Sequence, residues 1–171
     1  MFDPTAYENI KVVFEGLIYD QDLEGNIIII ERNDIVNLAD LSRAYNITFI
    51  HKRDRKQLLK VKLELNSNFK QIASEWMPMT TVPGVSVSIQ FMIENNMDEI
   101  LKKRIAKLFK QFPGQEYHVD RFKQVYMDER TIFHYIVTKY ELLTEDTIEK
   151  IDPLIEQTIS VTDLLFQMIQ R

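Results

Sequence analysis

The stretch Asp20 to Glu31, DQDLEGNIIIIE, sets Asp20, Asp22, Glu24, Gly25 and Glu31 at the spacing of the oxygen ligands and turn glycine of an EF-hand calcium loop. In such a loop the last positions already belong to the exiting helix. Here those positions are Ile27, Ile28, Ile29 and Ile30, four consecutive β-branched residues that disfavour helix and favour strand. The stretch therefore reads as a hairpin. Leu23-Glu24-Gly25 is its three-residue loop, Gly25 is left-handed, and Asp20 and Asp22 stand at a strand end. The chain should be extended after Gly25, with Glu31 too far down the returning strand to close a coordination sphere. Calcium is not expected.

Glu116, His118 and Asp120 alternate in EYHVD, so a strand would carry all three on one face. Carboxylate and imidazole groups at that spacing could hold a divalent metal. A polar strand end facing water needs no metal at all. With a two-residue turn at Asp128-Glu129, residue i would pair with 257 − i, placing His118 opposite Lys139 and His134 opposite Lys123. The two histidines would then lie on opposite faces, five pairs apart, roughly 16 Å along the strands at ~3.3 Å per residue. His51 has no visible partner. No G-x-S-x-G, P-loop or G-x-G-x-x-G motif occurs, and 4 glycines leave little for a phosphate-cradling loop. No cofactor is expected.

Charge is segmented. Residues 1–50 carry nine acids and three bases (net −6), residues 51–140 ten acids and sixteen bases (net +6), and residues 141–171 seven acids and two bases (net −5). Within the basic middle, His51, Lys52, Arg53, Arg55 and Lys56 form the densest cluster, at what reads as a turn between strands. Lys103, Lys107 and Lys110 line the outer face of a predicted helix. Together they could form an anion or nucleic-acid face if adjacent in space. Neither segment has the interleaved aromatics of single-strand binders. The net negative chain repels phosphate at long range, and opposite-charge blocks can simply pack together or be solvated.

These side chains need a frame. Leu59, Val61, Leu63 and Leu65 alternate with Lys60, Lys62 and Glu64, and Val85, Val87, Ile89, Phe91 and Ile93 alternate with Ser86, Ser88 and Gln90. Such alternation predicts strands with one buried and one wetter face. Residues 47–51 and 58–65 read as paired strands, and residues 116–127 and 131–141 as a hairpin. Helices are predicted over 34–46, 68–76 and 97–112. Residues 3–18 read as a short helix, capped by Asp3-Pro4, running into a strand. The C-terminus is helical, with Asp152-Pro153 as a restart or kink. The whole predicts one α+β domain over residues 1–171, subdivided if anywhere near 77–84: an antiparallel or mixed sheet built from hairpins, helices packed on it, and a long C-terminal amphipathic helix.

Ile155, Ile159, Leu165, Phe166 and Ile169 make the apolar stripe of that last helix wider than one sheet face requires. The surplus predicts a homodimer through this helix, since cyclic dimers are the commonest oligomers. Trp76, Met77 and Met79, in the proline-stiffened WMPMTTVPG, offer a second surface for a protein partner. There is no cysteine, no basic-then-apolar leader and no apolar run near the ~20 residues of a membrane helix, so a cytoplasmic protein off the membrane is expected. Heavy isoleucine and sparse alanine point to an AT-rich host, which we take as bacterial. The leading expectation is a non-enzymatic binding or interaction module that homodimerises. Two alternatives stand behind it: a nucleic-acid-associated protein using the basic middle, and a small-molecule- or metal-binding enzyme using Glu116, His118 and Asp120.

Overall fold

The structure, a computed structural model, describes residues 5–77, 82–112 and 114–170. It opens on one long helix, α1 (Ala6–Leu23), where a short helix and a strand were expected. Tyr7, Ile10, Phe14 and Ile18 are all buried, so their three-to-four spacing is the one that packs; Val12, Phe14, Gly16 and Ile18 also alternate as a strand would, but Val12 is exposed. The expected Asp3-Pro4 cap lies outside the described residues. Thr5 caps the helix instead, its hydroxyl accepting from the Glu8 N–H at 3.3 Å.

Gly25 ends α1 in a Schellman arrangement. At φ +73° its N–H donates to the Asp22 carbonyl, and the Asn26 N–H donates to that of Gln21 at 2.9 Å. The expected hairpin loop is thus a helix C-terminus, and Asp20 and Asp22 sit on the last helical turn, not at a strand end. The chain is extended beyond it, as four isoleucines require: β1 runs Ile27–Asn37. Asp22 Oδ1 accepts the Ile29 N–H at 3.2 Å, while Glu31 lies out on the strand.

The expected helix over 34–46 is a hairpin. β1 continues through Ile35 and Val36, turns over Leu38–Leu41, and returns as β2 (Ser42–His51). Asn37 and Asp40 side chains accept the Ala39 and Ser42 N–H groups, each at 3.0 Å, and Leu41 takes φ +56°. α1 holds this hairpin by charge: Lys11 Nζ is 2.8 Å from Asp34, Arg32 3.1 Å from Glu15, and Arg43 stacks 4.4 Å over the Tyr7 ring.

β3 (Leu59–Ser67), a short α2 (Phe69–Ala73) where 68–76 was expected, β4 (Ser86–Glu94), α3 (Glu99–Gln111), β5 (Tyr117–Val125) and β6 (Thr131–Lys139) follow. A 3₁₀ turn over Glu145–Lys150 leads into α4 (Ile151–Ile169). Pro153 falls in its first turn, where no backbone donor is needed. All six strands form one antiparallel sheet in the order β1-β2-β3-β4-β6-β5, so β3 and β4, on either side of the 77–84 segment, pair directly.

The core lies between α1, α3 and α4 and one face of this sheet. Phe49, Val61, Leu63, Ile89, Phe91 and Val137 are fully or almost fully buried there. α4 spends its broad stripe in the same layer. Even Thr158 and Thr162 are buried, each donating its hydroxyl to the carbonyl four residues back at 2.7 Å. Among the described residues no helix is long and apolar enough to cross a membrane.

Candidate binding surface on the open sheet face

Three helices on one face leave the other face of the sheet, among the described residues, without a layer of its own. Cross-strand pairing sorts its side chains into rows. One row, Asn33, Asn46, Glu64, Ser88, Thr138 and His118, crosses all six strands and is polar throughout. The next is Glu31, Thr48, Lys62, Gln90, Ile136 and Asp120. A third, Ile28, Ile50, Lys60, Met92, His134 and Phe122, is apolar at four of its six positions. Alternation writes this surface: the same strands that send Val61, Leu63, Ile89 and Phe91 inward must send Lys62, Glu64, Ser88 and Gln90 outward.

Uncovered does not mean exposed. Asn46 and Thr48 are each 4% exposed and His134 is 7% exposed. A hollow of about 320 Å³ opens over β3, β4 and β6, lined by Lys62, Glu64, Asn66, Ser86, Ser88 and Thr138, with Gln90 and Ile136 at its side. Lys62 Nζ stands 2.6 Å from Glu64, and Asn66 Nδ2 donates to the same carboxylate at 2.7 Å. Burial pushes the Glu64 carboxyl up, but these two hydrogen bonds outweigh it and hold the group below the usual carboxylate range. Asn33 Nδ2 donates to Asn46 Oδ1 at 3.1 Å, a second polar pair on the same face, between β1 and β2.

His134 is the least satisfied member. Its Nδ1 meets Gln90 Nε2 at 3.0 Å, and its ring stacks on Phe122 at 4.4 Å and 7°. With Gln90 donating, the ring proton sits on Nε2, which is buried without a partner. Burial alone pushes this imidazole below its ordinary value.

The β5–β6 hairpin corrects the expected pairing. The loop is five residues, Tyr126–Arg130, closed by Tyr126 N–H to the Arg130 carbonyl at 2.9 Å with Glu129 at φ +68°. Residue i therefore pairs with 256 − i: His118 faces Thr138 and His134 faces Phe122. Both histidines lie on the open face, four pairs apart, about 13 Å along the strand at ~3.3 Å per residue. His118 Nε2 is 2.9 Å from Asp120, but Glu116 precedes β5 and pairs with Lys139 at 3.1 Å. Among the described residues no three His, Asp or Glu side chains converge as a metal site.

The other expected residues disperse. His51 points into the helix layer. Its Nδ1 accepts the Arg53 N–H at 3.1 Å, its Nε2 is 3.2 Å from Asp163, and it stacks on Phe166 at 4.1 Å. With both nitrogens engaged it has none left for a substrate proton. Lys52, Arg53, Arg55 and Lys56 are exposed around a turn held by buried Asp54, whose carboxylate accepts the Leu58 and Leu59 N–H groups at 3.1 and 2.8 Å. Lys103, Lys107 and Lys110 are exposed on α3. The end of α4 stands between the two basic segments: Phe166 and Gln170 flank His51 and Arg53, while Met168 and Ile169 flank Leu101 and Arg104.

Ile155, Ile159, Leu165, Phe166 and Ile169 are all buried within the chain, so the flank assigned to a partner is occupied by the protein's own core. Of the apolar residues on α4, Leu164 is the exposed one. Trp76 and Met77 are exposed; Met79 lies outside the described residues. The open-face set of Asn46, Thr48, Lys62, Glu64, Asn66, Ser88, Gln90 and His134 went unnamed as a site from sequence. Its signal was the wetter half of each strand's alternation.

No protein-family model matches the chain, and neither the curated proteins nor the solved structures show a significant match to it.

Proposed function

We propose that this chain is a binding protein without chemistry of its own, that the open sheet face receives a protein partner, and that two copies associate along β1. The polar hollow over β3, β4 and β6, on a face that none of the described helices covers, carries this reading. Lys62, Glu64, Ser88 and Thr138 are only half-buried there and can hydrogen-bond a partner's polar groups. Asn46, Thr48 and His134 lie buried beneath the same face and stiffen it. The apolar row beside the two polar ones gives the mixed character of protein–protein interfaces. A cysteine-free chain suits a reducing compartment such as the cytoplasm. The nucleic-acid alternative is less favoured because α4 separates the two basic segments it needs. The enzyme alternative is less favoured because His51 is fully engaged and Glu116 is drawn away from His118 and Asp120.

The test is site-specific photocrosslinking in cells, with a photoreactive residue at Ser88 in one variant and at exposed Glu156 on α4 in another. The expected result is one heavier adduct from Ser88, its second component identified by mass spectrometry as another protein, and none from Glu156. An adduct of two copies of this chain at Ser88 would make the open face the dimer surface instead. No adduct at Ser88 would overturn the reading.

A further inference from the structure

On the opposite side of the sheet from the open face, the helix layer is incomplete. α3 seats on β4 and β6: Phe109 stacks on Tyr135 at 4.4 Å and meets Phe91 edge-on at 5.2 Å. It stops short of β5. Arg121 pairs with Tyr135 and Lys123 with Phe133 across the β5–β6 ladder, so these four share the helix-side face. Between them and Lys102 and Ala106 of α3 lies a cleft of about 230 Å³.

Its chemistry is one-sided. Lys102, Arg121 and Lys123 supply three cations from two elements, and no carboxylate lines the cleft. Lys102 Nζ lies 5.9 Å over the Phe133 ring and pairs with Glu99 at its outer side at 2.8 Å. Among the described residues Arg121 and Lys123 make no ion pair. Burial pushes the Tyr135 phenol up, while the charges of Arg121 and Lys102 both pull it down. Three positive charges around one cleft, in a chain of net charge −5, form a local field that runs against the whole.

We propose that this cleft binds a nucleotide phosphate, with Arg121 and Lys123 on the phosphate and the flat base against Phe133. The guanidinium of Arg121 offers paired donors to phosphate oxygens, Lys123 and Lys102 add point charges, and an aromatic wall accepts any base by its face. The volume is small for a drug-sized ligand and suits a partly inserted one. A free mononucleotide and one nucleotide of a single strand present the same chemistry. Phe122 and His134, which stack on each other on the open face, also border this cleft, but the proposal rests on Lys102, Arg121, Lys123 and Phe133 and stands or falls without the open face.

The experiment is calorimetric titration of the full chain with AMP, adenosine, inorganic phosphate and a dT oligonucleotide, repeated with R121A/K123A and with K107A/K110A as a charge-matched control. Arg121 and Lys123 are exposed, and circular dichroism checks that each variant is folded. AMP is expected to bind, adenosine and phosphate at least tenfold more weakly, with AMP affinity falling at least tenfold in R121A/K123A and little in K107A/K110A. Binding of the oligonucleotide but not AMP, lost in R121A/K123A alone, supports the same cleft with a strand as its source. Absence of binding by both, or equal losses in the two variants, overturns the proposal.

Discussion

His134 is where residue chemistry bears most directly on stability. Burial holds its folded-state value below the ordinary ~6.5, with no carboxylate to offset it. His51 shifts the same way, by burial first, although Asp163 pulls it back. The sign follows from linkage: as pH falls below ~6.5 the unfolded chain takes protons that the folded chain refuses, so stability is full above that value and is lost as pH drops through the folded one. Urea midpoints at pH 7.5 and 5.5 leave out the lowered carboxylates Glu8 and Glu64, which lose their contribution only in more acid solution, while Glu75, raised by burial, acts alike in parent and variant. His134→Gln should show a smaller drop between the two pH values than the parent. An unchanged drop would mean that His134 takes up its proton in the fold without penalty. None of this was legible from the sequence, where His134 was one of two hairpin histidines on opposite faces. A single residue of register moved both to the open face, and the cause was Glu129 in the left-handed region, a conformation the sequence does not advertise for a non-glycine.

At the scale of elements, legibility followed burial. α3 and α4 could be read because each has a stripe buried against the sheet and an opposite face in water, which imposes the 3.6-residue period. β3 and β4 could be read because central strands have two different faces. The failures were α1, whose apolar residues fit two periods, and the β1–β2 hairpin, where an edge strand with both faces partly wet imposes no period at all. The width of the α4 stripe was read correctly and its cause was not: α1, α3 and the sheet together take all of it. Neighbouring leucines test this. Leu165 is fully buried while Leu164 is 44% exposed. Leu165→Ala should cost about 2–5 kcal/mol by cavity formation, and Leu164→Ala no more than about 0.5 kcal/mol, read from urea midpoints at unchanged slope. Equal losses would mean that α4 docks by a different flank.

At the scale of the molecule, the charge blocks do not simply pair off. The acidic N-terminal block settles its ion pairs internally, α1 against its own hairpin through Lys11–Asp34, Arg32–Glu15 and Arg43–Glu8. This leaves the basic middle free to shape the α3–β5 cleft. The sheet's two edges differ in the same spirit. β5 carries Asp120, Arg121 and Lys123, charges of the kind that keep an edge from pairing with another chain. β1 carries three charges as well, but Arg32 and Asp34 are drawn to α1 by Glu15 and Lys11, and Ile28, Ile30, Ile35 and Val36, all exposed, flank them over eleven residues with no described strand on their outer side. A long edge with aliphatic ends is a template for another strand, and a second copy, paired antiparallel about a two-fold axis, covers both edges at once. With α4 spent in the core, β1 is the surface we assign to the proposed dimer. Light scattering on the purified chain should then give a mass near twice 20.3 kDa. Ile35 and Val36, 48% and 55% exposed, can become lysines without disturbing the fold, and I35K/V36K should run near 20.3 kDa while Leu164→Lys stays dimeric. If Leu164→Lys breaks the dimer and I35K/V36K does not, the interface belongs to α4. If the unmodified chain is monomeric at every concentration, β1 is an edge kept apart by Glu31, Arg32 and Asp34, and the open face binds its partner one chain at a time.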